Sequence, residues 1–161
     1  ANAIAVEGQY VYVLGLFQLA IVDATDLLAP FLVSQVRLLG IGYGIGRGSD
    51  VLEEGGFLYL AMGLPGVRVL DVRVPAAPVE VAALLEGSTA LSLAFSGNLL
   101  FVGGPGRLTV FDVSDPFAPV ELGRAAFTGE LDDLEVTGDL LVAAAGSRGV
   151  LVFDVTDPAA P

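Results

Sequence analysis

The sequence predicts an all-β chain of small antiparallel four-stranded sheets, fanned about an axis as the blades of a β-propeller. Three observations predict it. One phrase is written four times: AIVDATDLLAP at 20–30, VLDVRVPAAP at 69–78, VFDVSDPFAP at 110–119 and VFDVTDPAAP at 152–161. Its anchoring aspartates, Asp23, Asp71, Asp112 and Asp154, are 48, 41 and 42 residues apart, a spacing in the range of propeller blades. A second landmark keeps register with the first, because the turn glycines Gly8, Gly55, Gly97 and Gly138 precede those aspartates by 15, 16, 15 and 16 residues. Finally, runs such as Leu99-Leu100-Phe101-Val102 and Val150-Leu151-Val152-Phe153 are apolar on both faces, so each sheet needs cover on both sides.

Each repeat reads as four short apolar runs separated by turn signals. In the first, strands are expected over roughly Ala3–Glu7, Tyr10–Leu14, Gln18–Val22 and Phe31–Leu38. Gly8-Gln9, Gly55-Gly56, Gly97-Asn98 and Gly138-Asp139 supply residues that tolerate positive φ in tight hairpins. The second hairpins turn on Leu64-Pro65-Gly66, Gly104-Pro105-Gly106 and Gly146-Ser147-Arg148-Gly149. No segment combines helical spacing with helix start and stop signals. The expected organisation is one propeller region over 1–161: blade 1 over 1–40, a connector over 40–48, blade 2 over 49–88, blade 3 over 89–129, and blade 4 over 130–161 without its outer strand.

The phrase itself reads as a rigid corner. Asp112 and Asp154 can accept backbone N–H groups a residue or two on, as Asx turns do, and Pro116 and Pro158 fix φ and end the strand. Asp23 and Asp71 hold the same position in the looser copies, where Leu27 replaces Pro and Arg73-Val74 replaces Ser-Asp. The competing reading is a calcium loop, since Asp112 with Asp115, and Asp154 with Asp157, set carboxylates three residues apart. An oxygen cage needs six to eight ligands, and the Gly-containing spacing of an EF-hand is missing.

These phrases resemble the LVIVD-repeat family, whose members carry a strand close to Leu-Val-Ile-Val-Asp followed by Val-Ser-Asp-Pro and a second Pro. The matching strands end at Asp23, Asp71, Asp112 and Asp154, and the closing prolines are Pro30, Pro78, Pro119 and Pro161. Blades 3 and 4 match most closely. The resemblance implies a β-propeller of prokaryotic surface and secreted proteins, usually without a defined activity, and it transfers no catalytic residue.

Composition narrows the chemistry. Nineteen acidic residues against seven basic ones, all Arg, give a net charge of −12, which repels polyanions and argues against nucleic-acid binding. With no Cys and no His there is no disulfide, no thiolate nucleophile, no imidazole base and no typical zinc or haem site. Gly, Asp, Glu or Pro interrupts every apolar run before the roughly 18 residues a membrane helix needs.

The remaining candidate sites are few. Aligned on the turn glycines, one position reads Ala3, Asp50, Ser92 and Asp133, with Glu53, Glu54, Asp132 and Glu135 nearby. On the channel-lining first strands these carboxylates could hold Ca²⁺ or Mg²⁺ and activate water, or form a solvated acidic rim. The Gly-alternating stretch 39–48 displays Tyr43 and Arg47, a possible contact loop or a plain connector; it cannot be a P-loop, which needs a Lys. Arg107 and Arg148 sit in equivalent hairpins, as an anion site or as solubilising charges.

The sequence therefore predicts a non-enzymatic scaffold or protein-interaction module of a prokaryotic cell-surface or extracellular protein, without a required cofactor. The alternatives are a Ca/Mg-dependent hydrolase of lactonase type and a carbohydrate- or peptide-binding propeller. Its partners are expected to be proteins, namely further copies of itself or the remainder of a longer chain, because an arc of blades leaves apolar faces at both ends.

Overall fold

The computed structural model describes residues 2–15, 18–38 and 50–161. Within them the chain makes four antiparallel meanders. The first sheet holds β1 (Ala3–Glu7), β2 (Tyr10–Leu14), β3 (Gln18–Asp23) and β4 (Phe31–Arg37). The second holds β5 (Asp50–Glu54), β6 (Phe57–Ala61), β7 (Val67–Asp71) and β8 (Val79–Leu84). The third holds β9 (Ser92–Ser96), β10 (Leu99–Gly104), β11 (Arg107–Asp112) and β12 (Val120–Ala126). The fourth has three strands, β13 (Asp133–Thr137), β14 (Leu140–Ala144) and β15 (Val150–Asp154). The expected connector over 40–48, with Tyr43 and Arg47, lies outside the described residues.

Local chemistry explains these elements. β-Branched, aromatic and leucine side chains fill the strands, and the first hairpin of every sheet turns on a glycine at positive φ, 56° at Gly8 and 57° at Gly97. The amide after each anchoring aspartate donates back to that hairpin: Ala24 to Gln9 O, Val72 to Gly56 O, Val113 to Asn98 O and Val155 to Asp139 O. This bond is why glycine and aspartate keep their spacing in all four repeats. One turn differs from the expected hairpin, since Gly146–Arg148 closes as a short 3₁₀ turn through Arg148 N–H to Ala145 O.

Every outer strand carries a bulge. Val33, Val81 and Leu122 are extra residues, so that Ser34, Ala82 and Gly123 sit opposite Ile21, Val69 and Val110. Such bulges increase local twist, and at Ser34 and Gly123 the bulged strand lies beside the corner of the following sheet.

Consecutive sheets stack with the first strands β1, β5, β9 and β13 as inner neighbours. Three apolar layers lie between them. Tyr12, Leu14, Leu19 and Ile21 of the first sheet meet Val51, Leu58, Leu60 and Leu70 of the second. Phe57, Tyr59, Val67 and Val69 meet Leu93, Leu100, Val102 and Phe111. Phe101, Leu108 and Val110 meet Leu134, Leu141 and Ala143. At about 1.5–3 kcal/mol per large apolar side chain taken out of water, these layers dominate the stability of the fold. The four sheets do not close into a ring. Ile4 and Val6 on β1 are 59% and 63% exposed, and Val150 and Val152 on β15 are 65% and 60% exposed, so each end of the arc presents an uncovered face.

Candidate functional site: channel carboxylates and corner phrases

Asp50 opens β5 and Asp133 opens β13, so the alternating register of the inner strands puts both at one end of the inner surface. Asp50 is partly buried and its two oxygens are occupied by backbone. Oδ1 accepts the N–H of Val51 at 2.8 Å, and Oδ2 accepts the N–H of Leu93 on the next sheet at 2.9 Å. Burial pushes its carboxyl above the usual carboxylate range, the two amide donors oppose the push, and the charge of Asp133 adds to it. Ser92, in the same aligned position, makes the corresponding tie in the other polarity: its Oγ donates at 2.9 Å to the carbonyl of Leu131, two residues before the first strand of the next sheet. Gly103 makes room for that tie, since a Cβ there would stand 2.4 Å from Ser92 Oγ and 2.9 Å from Leu131 Cβ. Asp133 Oδ1 accepts the N–H of Leu134 at 3.0 Å.

The other two candidates are elsewhere. Glu53 lies near the far end of β5, where Oε1 accepts the N–H of Gly56 at 2.7 Å; burial raises its carboxyl, and Glu7 and Glu54 add to the rise. Asp132 precedes β13, its N–H donates to Ala144 O, and its carboxylate lies beside Gly146. Among the described residues, no three Asp or Glu side chains are grouped so that they could hold a metal ion.

The corner phrases form a second constellation, at the outer rim. Asp23 accepts the N–H of Thr25, Asp71 that of Arg73, Asp112 that of Ser114 and Asp154 that of Thr156, at 2.8 to 3.0 Å. Hydrogen bonds from those residues hold all four carboxyls below their ordinary value, led by the side chains of Thr25, Arg73 and Thr156 and by the Ser114 amide. A second turn follows in three corners: Asp26 accepts Leu28 N–H, Asp115 accepts Phe117 N–H and Asp157 accepts Ala159 N–H. Pro116 and Pro158 follow Asp115 and Asp157 inside these turns. The carboxylates that a calcium loop would need are thus each turned onto their own backbone.

The second and fourth corners also touch the outer strand of the preceding sheet. Ser34 Oγ donates to Pro75 O at 2.6 Å, and a Cβ on Gly123 would lie 2.5 Å from Ala159 O and 2.6 Å from Pro158 O. Between the second and third sheets aromatic packing contributes as well. Phe57 meets Phe117 edge-on with centroids 5.7 Å apart, and Arg73, paired with Asp71 at 2.5 Å, lies 5.0 Å above the Phe57 ring. The shallow cleft lined by Asp71, Arg73, Val74, Ala77 and Val79 opens beside this corner, at the strand end opposite Asp50. Of the hairpin arginines, Arg148 donates to Thr128 Oγ1.

Comparison with known proteins agrees with this architecture. The LVIVD repeat pattern matches residues 1–37, 45–85 and 87–126, one match for each four-stranded sheet; the fourth copy of the phrase lies beyond them. No curated protein matches the sequence. Among solved structures, the computationally designed Ika4 protein is similar with a TM-score of 0.72 at 18% identity, over 96% of this chain and 90% of that one. The computationally designed Ika8 protein is similar with a TM-score of 0.70 at 18% identity, over 95% of this chain and 45% of that one, so the chain spans less than half of its length. Likeness at such identity is one of fold. With the repeat pattern matched over most of its length and the sheets stacked as propeller blades, the chain belongs to the LVIVD repeat family.

Proposed function

We propose that this protein is a non-enzymatic propeller scaffold for protein interactions, in a prokaryotic cell-surface or extracellular protein. One observation carries the reading: both oxygens of Asp50 are spent on backbone amides of two adjacent blades, so the best candidate for a catalytic or metal-binding carboxylate works as a strut. The corner aspartates are engaged in the same way. The acidic surface, with 19 acidic residues against seven arginines, supports an exposed setting by favouring solubility and repelling polyanions.

The discriminating experiment is a thermal melt with and without millimolar Ca²⁺ or Mg²⁺, run on the natural chain and on Asp50→Ala. The scaffold reading expects no metal-dependent shift in either protein. It also expects Asp50→Ala to lose about 1–3 kcal/mol, because the Leu93 and Val51 amides lose their acceptor. Lactone or ester hydrolysis that needs added metal and vanishes in Asp50→Asn would replace this reading with the hydrolase. Recovery of the protein solely from the cytosolic fraction of its source cells would remove the surface assignment.

A further inference from the structure

We propose that the corner rim of the second and third blades docks a cationic protein segment that carries apolar side chains. This rests on the scaffold reading and gives it a surface and a class of partner. The surface does not depend on where the chain begins or ends, because each of these two blades has a neighbouring blade on either side.

A middle blade covers its apolar side chains almost completely, as the five buried residues of β6 show. Its corner is the exception. Val74 is 61% exposed and Val79 58%, and in the third blade Phe117 is 53% and Val120 57% exposed. The placement is regular: eight residues after the anchoring aspartate stand Phe31, Val79 and Val120, one in every blade that has an outer strand, and all three are more than half exposed. The two corners form one surface. Val74 and Val79 line the cleft with Asp71, Arg73 and Ala77, and Arg73 reaches from it to within 5.9 Å of the Phe117 ring. Val120 opens the outer strand that follows Phe117. The floor of this surface is fixed before any partner arrives, since Phe57 packs edge-on against Phe117 and the Asp71 carboxylate holds Arg73 in place. Exposed apolar side chains around an aromatic ring and an arginine, already ordered, have the make-up of an interface centre and lose little freedom on binding.

Charge selects what covers it. The guanidinium groups at this rim are spent within their own blades, Arg73 on Asp71 and Arg124 on Glu121, and Arg68 takes Glu80. Asp112 and Asp115, just before Phe117, have no arginine among the described residues. Each uses one oxygen on a backbone amide, that of Ser114 and that of Phe117. An uncharged apolar partner would seal these carboxylates away from water unpaired, which costs free energy, whereas a lysine or arginine beside the apolar anchor pairs them. The net charge of −12 acts in the same sense over distance. It draws a cationic segment in and repels nucleic acid, an anionic lipid surface and a second copy of this chain.

The test is fluorescence anisotropy of three dye-labelled synthetic peptides of equal length with the 161-residue chain: one of leucine and lysine, one of leucine and glutamate, one of serine and lysine. The leucine-lysine peptide is expected to bind, the other two at least about 10-fold more weakly, and added NaCl to weaken the first. Val79→Ser and Phe117→Ser, each folded by circular dichroism, are expected to lose about 5- to 10-fold in affinity for it. Val6→Ser and Val152→Ser, on the faces at the two ends of the arc, are expected to bind as the natural chain does. No binding of the leucine-lysine peptide, or equal binding of either other peptide, overturns the proposal. So does unchanged binding by both rim variants, or an equal loss in the end-face variants. Sedimentation in which the natural chain self-associates and Val79→Ser does not would name a second copy as the occupant and overturn it too. Flotation with phosphatidylcholine vesicles that Val79→Ser abolishes would do the same for a lipid surface. The scaffold reading fails by other results: metal-dependent hydrolysis at Asp50 would leave peptide binding unchanged, since the cleft lies at the opposite strand end.

Discussion

The second strands of the first two blades are close relatives, Tyr10-Val11-Tyr12-Val13-Leu14 and Phe57-Leu58-Tyr59-Leu60-Ala61, yet their surroundings differ sharply. All five residues of the second are buried, whereas only Tyr12 and Leu14 of the first are. In the fourth blade the same strand buries Leu141 and Ala143 and leaves Leu140 and Ala144 exposed. The amino acids hardly change between the middle and the ends of the arc; the number of neighbouring sheets does. Both end blades carry side chains suited to two neighbours while having one, and hydrophobic burial in this fold is conferred by position in the stack.

Three measurements of stability in urea test that contrast. The largest expected effect is at Phe101, completely buried between the third and fourth blades. Phe101→Ala should cost about 3–5 kcal/mol, while Val152→Ala on the open face should stay within about 0.5 kcal/mol. Equal losses at the two sites would mean that the ends are as well packed as the middle. Next comes Gly123→Val, which drives a side chain against the Pro158 and Ala159 carbonyls and should cost about 1–3 kcal/mol. No loss there would show that the rim contact between blades is soft. Smallest, and of opposite sign, is Thr109→Val. The Thr109 hydroxyl is completely buried and has no hydrogen-bond partner among the described residues, so its removal should raise stability by about 1 kcal/mol. A loss would point to a partner for that hydroxyl in solution.

Much of the architecture was legible from residue types at fixed spacing. The strands of the first blade end within one residue of the expected bounds at Val22 and Leu38, because alternation and turn glycines are local signals. What the aspartates do was harder to read. The aligned position of Ala3, Asp50, Ser92 and Asp133 stood out, but a carboxylate column looks alike whether it faces a cation or an amide. The amide that decides the matter belongs to Leu93, 43 residues from Asp50, and a backbone N–H leaves no mark in a sequence. Arg73 departs from the Ser or Thr of its aligned copies, and only the fold shows that it reaches Phe57 across a hairpin and lies 5.9 Å from Phe117 of the next corner. One signal was present and unused: eleven residues after Asp23, Asp71 and Asp112 stand Ser34, Ala82 and Gly123, all small.

At two of those positions, Ser34 and Gly123, a corner's backbone approaches the bulge and fixes one separation between consecutive blades at the rim. The Asp50 and Ser92 ties fix another near the axis. Two fixed separations at different radii define a wedge angle, and the wedge angle sets how many blades make a full circle. The volume of a single side chain at the rim is therefore a dial on curvature: larger residues open the wedge and call for fewer blades, smaller ones narrow it and call for more.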